Sequence, residues 1–272
     1  MRVALAQICS GRDVDNNIAL VRARVEDAAA EQARLVVFPE ATMRAFGHNL
    51  DSIAETVDGP FAKTIGGWAR EFGVTIVTGM FSPAQEPRPA GARPKVRNTL
   101  LVASPAAPLV AYDKIHLFDA FGFAESDTVE AGTDLRQVDV DGTLVGLGIC
   151  YDLRFPQLFI NHARVGATVI IAAASWGDGP TKADQWEVLA RARALDSMSW
   201  ILACGQADPM AAGVPARSGA PTGIGGSMVV SPDGTVVTRA GRGPELLIAD
   251  IDPAAAEQAR ATIPVLVNAK LS

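Results

Sequence analysis

Short apolar runs alternate with longer amphipathic stretches along most of the chain. VALAQI (3–8), LVVFPE (35–40), VTIVTGM (74–80), NTLLVAS (98–104), LVAYDKI (109–115), LRQVDV and TLVGLGI (135–140 and 143–149), ATVIIAAA (167–174), WILACGQ (200–206), SMVVSPDGTVVTRAG (227–241) and ELLIADI (245–251) predict strands. Brief runs rich in β-branched residues and bounded by turn residues fit a pleated sheet better than a helix. Residues 14–33 place apolar side chains at helical spacing, with Asp13 as N-cap. Residues 61–72, the segment after Pro156, residues 183–198 and a short stretch after Pro253 are predicted helical on the same grounds. Asp141-Gly142 and Asp233-Gly234 are two-residue turn signals that join their flanking strands as hairpins. SPAQEPRPAGARPK (82–95) is too rich in Pro and Gly for regular structure.

Helices between strands imply parallel neighbours, whereas hairpins join antiparallel ones, so a single all-parallel sheet is excluded. The expected class is α/β with mixed sheets. Its simplest form is two sheets face to face with helices on each outer side. No repeat or linker marks a boundary, and residues 1–272 are expected to form one domain.

Composition narrows the partners. The apolar share, 49%, is enough for a sizeable core. With 24 Lys and Arg against 30 Asp and Glu and no basic run, nucleic acid is not an expected ligand. The run at 167–174 is far short of a membrane span, and MRVALAQICSGRD is too interrupted for a signal peptide. Three cysteines cannot all pair within one chain, so Cys9, Cys150 and Cys204 read as reduced thiols of a cytoplasmic protein. No CxxC or Cys/His cluster points to a metal. A small molecule is the expected partner.

Four positions carry polar or reactive groups at or just beyond the end of an apolar run, the edge where α/β sheets gather ligands. Glu40 follows Pro39; it reads either as a solvated loop carboxylate or as a general base whose proton affinity is raised against an apolar wall. Lys114 reads as a snorkelling surface residue or as positive charge for a developing oxyanion. Glu125, in FGFAESDT, gains meaning only as a second carboxylate that orients substrate or holds Lys114. Cys150 is the sharpest signal. Cys9 and Cys204 lie in continuing apolar runs and fit packed small hydrophobes, but Cys150 is followed by YDLRFP. With Asp152 capping a helix and Pro156 in its first turn, the thiol would feel the positive helix end and lean towards thiolate. Such a turn also lets the next backbone N–H, that of Tyr151, face a substrate oxygen. His116 shares a strand face with Lys114 and reads as a packed, structural histidine.

FPE (38–40), YDKIHLF (112–118) and GICYDLRFP (148–156) resemble, in order, the three signature blocks of the nitrilase superfamily of carbon–nitrogen hydrolases. The resemblance runs over nearly the whole chain. It implies a four-layer α-β-β-α sandwich and a Glu-Lys-Cys triad on Glu40, Lys114 and Cys150, with Glu125 as the additional glutamate of many members. It implies no metal and no organic cofactor, and a homodimer or higher homo-oligomer, for which the apolar tail ATIPVLVNAKLS is a candidate contact.

The implied chemistry is hydrolysis of a linear amide through a thioester on Cys150, with Tyr151 N–H and Lys114 at the oxyanion. YDLRFP resembles the omega-amidase and deaminated-glutathione-amidase branch, which acts on small amides bearing a carboxylate. Arg154 is then either the carboxylate clamp or half of an ion pair with Asp152 or another acid. Tyr151, Ser175 and Trp176 are expected around the pocket, Trp176 equally as a packing residue.

AAASWG (172–177), Ala131-Gly132 and the loop at 87–94 depart from that branch. Aliphatic amidases, N-carbamoyl hydrolases and nitrilases carry the same triad, although nitrilases generally have Trp where this chain has Tyr151. Readings from other classes are a silent binding module, which would have lost a triad residue, and a thiol sensor, which would want a second cysteine near Cys150.

Overall fold

The strands without polar alternation lie in the middle of two sheets, covered on both faces. A computed structural model describes residues 1–86, 91, 94–120, 122–215 and 219–270; most of the loop at 87–94 lies outside the described residues. The chain opens with β1 (Arg2–Gln7), α1 (Val14–Ala30), β2 (Leu35–Val37), α2 (Pro60–Phe72), β3 (Thr75–Pro83), β4 (Val96–Ala103) and β5 (Val110–Asp113). A small ribbon of β6 (Asp119–Ala120) and β7 (Phe123–Ala124) follows. Next come β8 (Gln137–Val140), β9 (Thr143–Ile149), α3 (Pro156–Arg164), β10 (Val169–Ala174), α4 (Lys182–Ser197), β11 (Trp200–Gly205), β12 (Met228–Val230) and β13 (Val236–Arg239). The chain closes with β14 (Glu245–Asp250), α5 (Ala254–Thr262) and α6 (Val265–Asn268).

The first sheet has the order β14-β1-β2-β3-β4-β5 and the second β13-β12-β11-β10-β9-β8. In each, three central strands run parallel, β1-β2-β3 and β9-β10-β11. Antiparallel hairpins flank them, β4-β5 in the first sheet, β8-β9 and β12-β13 in the second. β14 returns across the chain to pair antiparallel with β1, Arg2 opposite Asp250.

Period-two alternation decides which face meets which layer. Val3 and Leu5 of β1 join one apolar cluster with Val37, Leu100, Leu147, Ile149, Ile171 and Leu202, which fills the space between the sheets. Ala4 and Ala6 face the other way, with Val21 and Val25 of α1 and Phe61, Ile65 and Trp68 of α2. Leu158 and Phe159 of α3 and Trp186 and Ala190 of α4 cover the second sheet. These are the four layers, α-β-β-α, expected from the sequence.

Local chemistry sets the helix ends. Asp13 accepts from the Asn16 amide and caps α1 as predicted. α1 stops at Ala30 rather than near residue 33, because Gln32 takes a left-handed φ of 62°. α6 lies against α3 and α4 of its own chain, yet none of its residues is buried and Val267 stays 80% exposed. Among the described residues no helix is long and apolar enough to cross a membrane.

His162 of α3 is fully buried against β9. A methyl on Gly146 would lie 2.6 Å from the ring, so only glycine leaves room there. Nε2 donates to Leu147 O at 2.9 Å, and Nδ1 accepts from Gln137 Nε2 at 3.0 Å. One ring nitrogen must carry the proton and the other must not, which is the neutral ring. Burial lowers the His162 pKa below its ordinary value.

The unfolded chain therefore binds a proton near pH 6.5 that the folded chain refuses. The stability His162 contributes is complete above about pH 6.5 and declines as pH falls towards the depressed folded value. Urea unfolding at a series of pH values should show His162→Gln with a shallower loss below about pH 6.5 than the parent, the slopes differing by up to about 1.4 kcal/mol per pH unit. Identical slopes would contradict a neutral, buried His162.

Candidate active site

The carboxyl ends of the parallel strands in both sheets meet at one edge, and each delivers a polar group. Beyond β2, Phe38 and Pro39 carry the chain to Glu40, which is 1% exposed. Thr42 Oγ1 donates to Pro39 O at 2.7 Å, and Ala41 takes a φ of 57°. The resulting turn lies against β3 so closely that a Cβ on Gly79 would stand 2.7 Å from Ala41 N and 2.8 Å from Pro39 O. Gln206, just past β11, donates from Nε2 to Glu40 O at 2.9 Å and to Ser10 Oγ at 2.8 Å. The backbone under the carboxylate is thus held from three sides.

Lys114 follows β5, its amide donating to Asn98 O at 2.9 Å and its carbonyl accepting from Gly132 N at 2.8 Å. Its ammonium is 3.0 Å from Glu40 Oε1 and 3.0 and 2.8 Å from the two oxygens of Glu125. All three side chains are buried. Glu125 stands in a tight turn after β7 and also accepts from Phe118 N at 2.7 Å. Asn98 Nδ2 reaches both acids, Glu40 Oε1 at 2.8 Å and Glu125 Oε1 at 3.3 Å.

Cys150 follows β9 directly with a φ of 45°, a strained conformation for a residue with a side chain. Its Sγ makes a long 3.9 Å contact with Ser175 O, while Ser175 N donates to Glu40 Oε2 at 2.7 Å. One peptide segment beyond β10 thereby ties the thiol to the acid.

The sequence led us to expect Asp152 to cap a helix and the thiol to lean towards thiolate. The structure corrects both. Cys150–Arg154 is a separate 3-10 turn, and α3 starts at Pro156 after Phe155, which makes no side-chain cap bond. Asp152 is fully buried and accepts from Ile149 N (2.9 Å), Tyr112 Oη (2.6 Å), His116 N (3.0 Å) and His116 Nδ1 (2.7 Å). It fastens the exit of β9 to β5. His116, stacked on Phe155 at 3.7 Å, is structural as expected.

Burial, then the Glu40 charge, push the Cys150 thiol well above its ordinary pKa, and Lys114 offsets only part of this. For Glu40, burial raises the pKa, Lys114 opposes it, Glu125 adds to it, and the Ser175 N–H opposes it again; the result is above the usual carboxylate range. Burial disfavours the Lys114 ammonium, but Glu40 and Glu125 more than compensate and keep it charged. The resting arrangement is a neutral thiol beside a carboxylate with raised proton affinity and a fixed positive charge.

Glu40, Lys114, Glu125, Cys150 and the Ser175 backbone thus converge. Ser175 Oγ instead donates to Pro221 O at 2.6 Å. Tyr151 packs edge-on against Phe118 and Phe155. Trp176 is buried, donates to Lys182 O at 3.0 Å and packs on Trp186, so it is a packing residue. Arg154 does not pair with Asp152: Nη2 donates to Gln185 Oε1 at 2.6 Å, and the guanidinium lies over the Trp176 ring, 5.3 Å from its centroid. Cys204 is buried as expected, but Cys9, beyond the end of β1, is only partly so.

Asn98, Gln206 and Lys182 were not anticipated. Asn98 carried a signal, an amide heading the apolar run NTLLVAS. Lys182, over the Phe118 ring at 5.8 Å, carried none.

Comparison with known proteins gives the family. The family model for carbon-nitrogen hydrolases matches residues 2–261. A Mycobacterium tuberculosis protein named only as a hydrolase is 52% identical over 98% of this chain and 95% of its own length. The deaminated glutathione amidase of Escherichia coli O157:H7 is 32% identical, covering 100% and 98%. Omega-amidase NIT3 of Saccharomyces cerevisiae is 30% identical, covering 97% and 91%. The crystal structure of Saccharomyces cerevisiae Nit3, described as a member of branch 10 of the nitrilase superfamily, matches with a TM-score of 0.81 at 28% identity, over 97% of this chain and 94% of that one. The chain therefore belongs to the carbon-nitrogen hydrolase family, and is a hydrolase acting on carbon–nitrogen bonds other than peptide bonds.

Proposed function

We propose that this protein is a cysteine-dependent amidase that cleaves a small carboxylate-bearing amide to an acid and ammonia, in the manner of omega-amidases. The observation that carries the reaction is the Lys114 ammonium bonded to both Glu40 and Glu125 beside the Cys150 thiol. Cys150 Sγ attacks the amide carbon as Glu40 accepts the thiol proton, forming the S–C bond. The Lys114 ammonium and the Tyr151 N–H hold the oxyanion. Glu40 passes its proton to the nitrogen, the C–N bond breaks, and ammonia leaves a thioester on Cys150. Glu40 then takes a proton from water, whose oxygen attacks the thioester; the S–C bond breaks, Glu40 returns the proton to sulfur, and both the thiol and the carboxylate are restored.

The carboxylate preference is supported by local charge. On a chain of net charge −6, the described surroundings of Cys150 hold two cations besides Lys114, Arg154 on Trp176 and Lys182 on Phe118. Burial first, then the adjacent Arg154 charge, lower the Lys182 pKa. Two like charges close enough to feel each other favour an anion between them. Arg154, with Gln185 holding one edge, is the carboxylate clamp.

Three outcomes test this reading. Ammonia release from 2-oxoglutaramate or deaminated glutathione should be abolished in Cys150→Ala and reduced about a hundredfold to a thousandfold in Lys114→Ala, both variants remaining folded by circular dichroism. Mass spectrometry of the parent should catch an acyl group on Cys150, and an active Cys150→Ala would refute the mechanism. Arg154→Met should raise KM about tenfold or more for carboxylate-bearing amides and leave KM for a neutral aliphatic amide unchanged; equal effects on both would remove the clamp. Because the Glu40 pKa is raised and its ionised form is the base, kcat/KM should fall on acidification along a limb centred above the ordinary carboxylate value of about 4.3. Glu40→Gln should abolish that limb together with most of the rate.

A further inference from the structure

We infer that Asn98 is a positioning residue that keeps Glu40 ionised: the two N–H groups of its amide are divided between Glu40 and Glu125. The inference rests on the proposed roles of Glu40 as base and Cys150 as nucleophile.

Lys114 alone leaves the two acids unevenly served. One ammonium must answer two buried carboxylates, and two such groups sharing a site tend to retain a proton between them. The groups facing Glu40 come from every neighbouring strand end: Lys114 after β5, Glu125 after β7, Cys150 after β9 and the Ser175 N–H after β10. Among the described residues only Asn98, on β4, touches both acids without bringing a charge of its own. An amide NH2 has two hydrogens about 120° apart and can serve one acceptor on each side. The shorter bond, 2.8 Å, goes to Glu40 and the longer, 3.3 Å, to Glu125.

The other end of the same amide is the telling observation. Asn98 Oδ1 is buried and, among the described residues, has no hydrogen-bond partner. A lone buried acceptor is a standing penalty that an apolar side chain of equal size would avoid. Turning the amide over cannot relieve it, because Oδ1 would then face two carboxylate oxygens. The orientation is set by the negative charge, and the unpaired carbonyl is tolerated because the N–H groups are needed where they are.

Removing a donor from a carboxylate raises its proton affinity. Without Asn98, Glu40 should hold its proton to higher pH, and the acid limb of Cys150 reactivity should move up. A merely structural Asn98 would lower the rate without moving the limb.

The test follows alkylation of Cys150 by iodoacetamide, read by peptide mass spectrometry across pH, in the parent, Asn98→Leu, Asn98→Ser and Glu40→Gln. This readout needs no knowledge of the natural substrate. In Asn98→Leu the limb should move up by about one pH unit, with the high-pH plateau retained; Asn98→Ser, which also removes the amide NH2 but leaves a smaller, polar side chain, should shift in the same direction and serves if the leucine variant does not fold. Limbs that coincide with the parent's in whichever Asn98 variant folds overturn the inference. If Cys150 reacts no faster than Cys9 and Cys204, or if Glu40→Gln leaves the limb in place, the base–nucleophile reading itself has failed. A limb lost in Glu40→Gln but unmoved in the Asn98 variants overturns the role of Asn98 alone.

Discussion

One buried ammonium governs this centre. Lys114 is 2% exposed and lies within 3.0 Å of two acids that are themselves inside the protein. A charge in that setting is tolerable only when its partners are fixed in good geometry, because removing one partner leaves another charge stranded without water. The geometry is fixed by distant parts of the chain. Glu40 and Lys114 come from strand ends of the first sheet, Glu125 from the turn after the small ribbon, and Cys150 and Ser175 from strand ends of the second. The apolar cluster between the sheets sets the spacing, so packing far from the thiol is part of the electrostatics beside it.

The thiol illustrates how one environment can oppose another. Its turn, with a φ of 45° just past the strand end, resembles a nucleophile elbow. In thiolate enzymes a positive local field finishes the activation. Here burial first, and then the excess of carboxylate over ammonium, keep the proton on sulfur. Reactivity then depends on a base that takes the proton during attack. A neutral thiol is also a poor target for oxidants, which react with the thiolate.

The sequence disclosed the frame and the reactive ends more readily than the connections among them. β-branched runs, Asp-Gly turns and breaks at Pro39 and Pro156 are local signals, and the layers followed from them. Glu40 and Cys150 were legible because each interrupts an apolar run where it stops. The four bonds of Asp152 were not, since three of its donors belong to Tyr112 and His116, across the sheets. Lys182 was not, since its place over Phe118 depends on where α4 begins relative to a turn many residues earlier. The expected thiolate failed for the same reason: a turn leading to a helix can be read in sequence, whereas burial of the thiol and two acids arriving from distant parts of the chain cannot.

The pairing of β14 with β1 has a consequence for how the chain is made. Arg2 and Asp250 bond across 248 residues of sequence, so β1 waits for a partner strand made long after it. At about 5–20 residues per second, the outer edge of β1 stays uncovered for roughly ten to fifty seconds on the ribosome. A bare edge strand is a template for unwanted pairing. The growing polypeptide therefore passes through a window in which a chaperone, or slow compaction of the other strands, must shield an edge that the finished enzyme never shows.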